Sequence, residues 1–362
     1  MTTPIDAGGS EQPEPAELRE PPEPDEAVEP DEAAEAVEPR RPLWRRALRW
    51  AALLVAGFVI LTTSLAGDYV LATGATVPVP PLDSTGHYIT ADGLTTHYEQ
   101  WGTQGTPIVL VHGVVESAWV WHLVGPMLAA QGYRVYALDV RGYGYTQHEG
   151  PYDLAGDTAQ LQGFLTALHL DAAHHSLPIL VGHSSGAAII GDLALLHPGM
   201  AAKVIFMDGD GTPYGVGPSF IHGLIMDPYA TALIRLVTRH PSLAELAYNS
   251  ACGPNCPPFD AAAWLTPFRV PGAVSALKAI LQQQLIGLTF PQEQQIRVPA
   301  AIVYGSLDPE MTQADATATA QRLRTGQLIS ISGAYHLGML SAPRLTVAAL
   351  NQAMATPGRS HS

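Results

Sequence analysis

Short, wholly apolar runs recur along this chain from His87 onward, separated by longer stretches in which apolar residues return every three or four positions. Pro107–Val111, Pro178–Val181, Lys203–Met207 and Ala300–Tyr304 have the length and continuity of strands covered on both faces, and Arg134–Val140 reads the same way. Between them, Trp119–Gln131 reads as helical, and Asp153–Leu170 carries Leu154, Leu161, Phe164, Leu165 and Leu168 on one helical stripe. Alternation of this kind predicts an α/β fold: a doubly wound, mostly parallel sheet with right-handed crossovers. Ahead of it, His87–Thr90 and Thr95–Trp101 flank a turn at Asp92-Gly93, the signature of a hairpin.

The alternation stops between Gly209 and Arg297. That interval shows helical pattern over Tyr229–Thr238, Leu243–Asn249, Ala261–Leu265 and Val274–Ile286, and no buried strand. A helical lid inserted into the sheet domain is expected. The core then resumes with the strand at Ala300, a helix over Ala314–Leu323, a strand over Gln327–Ser332 and a last helix over Leu345–Ala355.

Before His87 the pattern is different. Residues 1–39 are rich in Pro, Glu and Ala with few large apolar residues, a composition that cannot offset the entropy of ordering, so a disordered acidic tail is expected. Arginines from Arg40 to Arg49 then precede an uncharged run from Trp50 to Ala66, which predicts a membrane-spanning helix over 47–67. The arginines lie on its N-terminal side, so the positive-inside tendency places the tail in the cytoplasm and the remainder outside. Ser64-Leu65-Ala66 resembles a signal-peptide cleavage site, but the run starts late and exceeds a signal h-region in length, which favours an uncleaved anchor. Residues 70–86, rich in Pro, Gly and Thr, read as an extended linker. The domain boundaries expected are therefore 87–212 and 298–356 for the core, with 213–297 as the lid.

Charge narrows the class of partner. The formal net charge is −15, concentrated in the acidic tail, and no basic patch of the kind nucleic acid requires is present. The histidines form no metal-ligand pattern, and two cysteines alone do not make a structural zinc site, so neither metal nor cofactor is expected. Cys252 and Cys256, separated by Gly-Pro-Asn, are candidates for a small disulfide loop if the domain is extracytoplasmic.

The chemistry centres on Gly182-His183-Ser184-Ser185-Gly186, between an apolar strand and a small-residue helix. A serine at a sharp strand-to-helix turn, with glycines relieving collisions across it, is raised towards solvent above backbone amides. Ser184 is the candidate nucleophile. Its hydroxyl must lose a proton as it attacks, which requires a base.

Five stretches in this order resemble the α/β-hydrolase superfamily over roughly residues 87–356. They are Val111-His112-Gly113, Asp139-Val140-Arg141-Gly142-Tyr143-Gly144, the Ser184 turn, Tyr304-Gly305-Ser306-Leu307-Asp308-Pro309 and Gly333-Ala334-Tyr335-His336. The resemblance implies a nucleophile at Ser184, an acid at Asp308 and a base at His336. Asp208 and Asp210 compete for the role of acid, since they end the strand after the nucleophile. Backbone N–H groups of Val114 and Ser185 are expected to form the oxyanion hole. His112, Gly113, Gly182 and Gly186 are expected to shape the loops, with His183 packed between turn and core.

A serine at the elbow disfavours dehalogenase and epoxide-hydrolase activity, which in this superfamily depends on aspartate there. Ester hydrolysis through an acyl-enzyme leads, with carbon–carbon bond hydrolysis, aminopeptidase and perhydrolase chemistry sharing the same triad. A non-catalytic, membrane-anchored binding module is the reading of a different class. The lid carries Phe220, Tyr229, Tyr248, Phe259, Trp264 and Phe268, which suits either a small-molecule or lipid-like ester or simple packing of lid on core.

Overall fold

A computed structural model describes residues 43–213, 227–282, 287–325 and 327–355. The expected acidic tail, Phe220 and the C-terminal end of the lid helix expected to reach Ile286 lie outside the described residues. The described residues divide into two units, one ending at Val55 and one beginning at Ala56.

Eight strands form one sheet: β1 (Gly86–Ala91), β2 (Leu94–Trp101), β3 (Pro107–Val111), β4 (Arg134–Leu138), β5 (Ile179–His183), β6 (Lys203–Met207), β7 (Ala300–Gly305) and β8 (Leu328–Ile331). Their spatial order is β1-β2-β4-β3-β5-β6-β7-β8. β1 and β2 are antiparallel to their neighbours, and every other pairing is parallel. Asp92 and Gly93 turn the β1–β2 hairpin with φ of 50° and 75°, the left-handed pair that a two-residue turn demands.

Successive residues of a strand feed opposite faces, so the apolar runs serve two cores at once. Val109 and Val111 join Leu180, Phe206 and the helical Phe164 on one side. Ile108 and Leu110 join Val181, Ile205 and Trp121 on the other. The helices that cover the first face are α3 (Leu154–Ala167), capped by the Asp153 carboxylate, and α4 (Gly186–Leu196).

Three elements differ from their sequence expectation. The N-terminal helix α1 runs from Leu43 to Ala72, so Asp68 lies inside it and not beyond its end. Lid arginines meet the carbonyls at and just beyond its C-terminus: Arg235 donates to Val70 O, and Arg239 Nη2 donates to Thr73 O at 2.8 Å and Ala75 O at 2.7 Å. The segment Trp119–Gln131 is broken into a 3-10 turn, Ala118–Trp121, and α2 (Val124–Ala129), because Pro126 has no N–H to continue the ladder. Val140 falls beyond β4, in the turn that carries Arg141. Ala47–Ala72 is long and apolar enough to cross a membrane, with a mean hydropathy of 1.9.

Between β6 and β7 the described residues form the helices Tyr229–Arg239, Pro241–Cys252, Ala261–Leu265 and Ala273–Gln282. Asp260 caps the third by accepting from the amides of Ala262 and Ala263, both at 3.0 Å. Cys252 and Cys256 are joined in a disulfide with Cα atoms 5.7 Å apart.

Candidate active site

Ser184 sits between β5 and α4 with φ of 51°, a left-handed conformation that a non-glycine residue rarely holds without a constraint. Two contacts impose it. The Ser184 amide donates to Met207 O of β6 at 2.9 Å, and Gly182 and Gly186 close on each other so tightly that a Cβ at Gly182 would lie 2.3 Å from the Gly186 carbonyl oxygen. The chain at Gly113 passes equally close: a Cβ there would fall 2.8 Å from that of Ser184. The loop after β3 and the serine turn thus fit only with glycine at these places.

His336 follows β8 and Asp308 follows β7. His336 Nδ1 lies 2.8 Å from Asp308 Oδ2, so the carboxylate accepts from that nitrogen and leaves Nε2 as the free face of the ring. Burial works against a charge on His336, but Asp308, then Asp208 and Glu310, outweigh it and lift the imidazole to about 9. Glu310 Oε2 stands 3.6 Å from Nε2. Ser184 and His336 line one cavity of about 410 Å³.

Asp208 occupies a different station from Asp308. Its Oδ1 accepts from the Gly305 amide at 2.6 Å, which ties the end of β6 to the start of the turn bearing Asp308 and not to the loop leading to the lid. Its carboxyl is driven upward by burial and by the charge of Asp308. Asp210 accepts instead from the amide and hydroxyl of Thr212, at 2.9 Å and 2.7 Å.

Val114 and Ser185 both line the cavity, and neither backbone N–H donates to a hydrogen bond among the described residues. Val115, next in the chain, holds φ of 56°, a strained setting for a β-branched residue, and this reversal returns Glu116 beneath the loop. Glu116 Oε2 accepts from the Gly113 amide at 2.7 Å and pairs with His183 Nδ1 at 3.0 Å, while His183 Nε2 lies 3.0 Å from the His336 carbonyl oxygen. Burial resists the charge on Glu116, yet His183 and the Gly113 amide hold its carboxyl below its ordinary value. His183 is therefore more than a packing residue: with Glu116 it bridges the loop after β3, the serine turn and the His336 loop. Sequence reasoning missed Glu116, although its place three residues after Gly113 was the available signal.

His112 is positioned as a structural residue. Its Nε2 accepts from the Val140 amide at 3.0 Å, so Nδ1 carries the proton donated to Gly113 O at 2.7 Å. Burial lowers its pKa, in keeping with that neutral form.

Tyr248, Phe259, Trp264 and Phe268 pack on the core, whereas the Tyr229 hydroxyl hydrogen-bonds those of Thr62 and Thr63 in α1. Tyr248, Phe259 and Trp264 lie against one another, with Trp264 edge-on to Trp119 at 5.8 Å, and none of them lines the cavity. The cavity wall is instead rich in carboxyl groups, Asp153, Asp157, Asp210 and Asp315 among them, with Arg141 beside them. Among the described residues no group of three His, Cys, Asp or Glu is placed to hold a metal ion.

This arrangement of strand, loop and turn has a counterpart among known proteins: residues 108–350 match the model of the alpha/beta hydrolase family. The chain belongs to that family. Epoxide hydrolase A of Mycobacterium tuberculosis is 34% identical over 124 residues, covering 33% of this chain and 37% of that protein. N-formylmaleamate deformylase of Pseudomonas putida is 35% identical over 104 residues, covering 28% of this chain and 37% of the relative. The chain thus spans little more than a third of the length of these curated relatives. A solved structure of a serine hydrolase involved in carbazole degradation shares the fold with a TM-score of 0.60 at 20% identity, over 75% of this chain and 98% of that one.

Proposed function

We propose that this alpha/beta hydrolase cleaves carboxylic esters by a Ser184-His336-Asp308 triad. The observation that carries the reading is the pairing of His336 Nδ1 with Asp308 Oδ2 in the loops that flank Ser184. Ser184 Oγ attacks the ester carbonyl as His336 Nε2 takes its proton; the carbonyl oxygen becomes an oxyanion facing the amides of Val114 and Ser185. Collapse expels the alcohol, which receives the proton from His336 and leaves an acyl-enzyme. Water then repeats the sequence from the other side, its proton passing to His336 and returning to Ser184 as the acid departs.

The epoxide-hydrolase relatives motivate a second substrate, and the chemistry of serine argues against it. Attack of a serine oxygen on an epoxide carbon gives an ether, which water does not hydrolyse, whereas a carboxylate nucleophile gives a cleavable ester. Labelling with a fluorophosphonate and locating the adduct by peptide mass spectrometry tests the assignment; an unmodified Ser184 in folded protein would refute it.

The same proposal places α1 in the membrane, with the hydrolase domain outside the cytoplasm and bound to a small-molecule or lipid-like ester. The uncharged run of α1 from Trp50 to Ala66 and the arginines on its N-terminal side support this. Protease treatment of intact cells followed by blotting for both ends is the check, and a protected C-terminal domain would reverse the orientation.

A further inference from the structure

Two polar atoms of residues on the cavity wall have no hydrogen-bond partner among the described residues. Asp157, on α3, has Oδ1 shielded from solvent and without a hydrogen bond among the described residues. Arg141 is 3% exposed; its terminal nitrogens are spent on Gly150 O at 3.0 Å and Asp92 Oδ2 at 2.7 Å, and its Nε has no described partner. Both residues line the cavity that holds Ser184, and they do not form an ion pair with each other. A buried donor and a buried acceptor left open in one cavity are costly to the fold unless a ligand engages them.

We propose that Asp157 and Arg141 form a subsite that takes an uncharged hydrogen-bonding end, a hydroxyl or a carboxamide, of the ester that Ser184 attacks. This deepens the serine-hydrolase reading and rests on it. Charge selects the neutral group. A carboxylate end would enter a wall that already carries Asp153, Asp210 and Asp315, and an ammonium end would offer no acceptor to the Arg141 Nε–H. A hydroxyl or carboxamide offers an acceptor to Arg141 Nε and a hydrogen-bonding partner to the Asp157 carboxyl at once. Burial raises the Asp157 carboxyl to about 8 against a lesser opposing pull from Arg141, so at neutral pH it carries its proton and adds no charge of its own.

The test uses nitrophenyl esters whose acyl chains, of graded length, end in methyl, hydroxyl, carboxamide, carboxylate or ammonium. At the chain length that spans the cavity, kcat/KM should be at least about tenfold higher for the hydroxyl or carboxamide end than for methyl, and the charged ends should be the poorest. In Asp157→Leu the ratio of hydroxyl to methyl should fall to about one. Turnover of the methyl esters with no preference at any length overturns the subsite but spares the triad, as does a preference that survives Asp157→Leu. Absence of all turnover together with an unlabelled Ser184 removes the triad. Calorimetry of the corresponding unreactive amides with the wild-type full chain then still reads the subsite, whether or not the variant folds: tighter binding of the hydroxyl-ended amide supports it, and equal binding overturns it.

Discussion

Glu310 Oε2 lies 3.6 Å from His336 Nε2, the nitrogen that the proposed triad needs free to take a proton from Ser184. A base of this kind works only when neutral, and a carboxylate on each side of the ring holds its proton on. Since the imidazole titrates at about 9, kcat/KM should fall as pH drops through a midpoint above neutrality instead of near 6.5. Glu310→Gln removes one of the charges, so its limb should move to lower pH with little change in the plateau. A pH profile of both proteins on one ester is the measurement; coincident limbs would contradict the coupling. The sign for stability follows: the His336 imidazolium pair contributes fully below about 6.5, and that contribution is lost as pH rises through about 9.

Asp308 and Asp208 are separated by what each one binds. Asp308→Asn should lower kcat by about a thousandfold or more, because the ring then loses the acceptor that fixes its tautomer. Asp208→Asn keeps an oxygen for the Gly305 amide and should stay within about tenfold of wild type. Parallel kinetics and melting curves decide between them, and the reverse order would transfer the acid role to Asp208.

The pairing of Glu116 with His183 makes the loop after β3 depend on a buried charge. Replacing Glu116 by Ala leaves His183 Nδ1 and the Gly113 amide without their acceptor, which should cost about 3 kcal/mol or more. Urea denaturation measures it. A loss below about 1 kcal/mol would mean that water replaces the carboxylate at no cost.

Asp157 is destabilising by the same arithmetic that fits it for binding. Its ordinary value is 3.8 and burial lifts it to about 8 in the fold, so the unfolded chain ionises first and stability is lost as pH rises from about 4 to about 8. Asp157→Asn does not titrate, and its advantage over wild type should grow across that interval to the order of a few kcal/mol at the top. Melting temperatures at a series of pH values test this; parallel curves would show that the carboxyl is hydrated and unshifted.

The parts of this molecule that were legible beforehand share a physical origin. Strands β3, β5, β6 and β7 are buried on both faces, which forces continuous apolar runs; the turns after β5 and β7 carry Ser184 and Asp308, and His336 follows the shorter β8. Glu116, Asp157 and Glu310 were not legible, because each acquires its meaning from a group far away in the chain: His183, Arg141 and His336. The break between Trp121 and Val124 and the extension of α1 through Asp68 were missed for a simpler reason. Apolar periodicity continues through both, and backbone hydrogen bonding decides where a helix stops. The lid aromatics suited either an apolar substrate or packing on the core, and Tyr248, Phe259 and Trp264 take the second part, outside the cavity.

The lid departs after β6 and returns ahead of β7, and between its two stems the Leu288 amide donates to Gly211 O at 2.8 Å. Its two attachment points are therefore one hydrogen bond apart. An excursion that begins and ends at almost the same spot can be lengthened, shortened or exchanged without disturbing the strands on either side. Grafting a foreign lid onto this scaffold would change what enters the cavity, while Ser184, Asp308 and His336, all carried by the sheet's own turns, would keep their spacing.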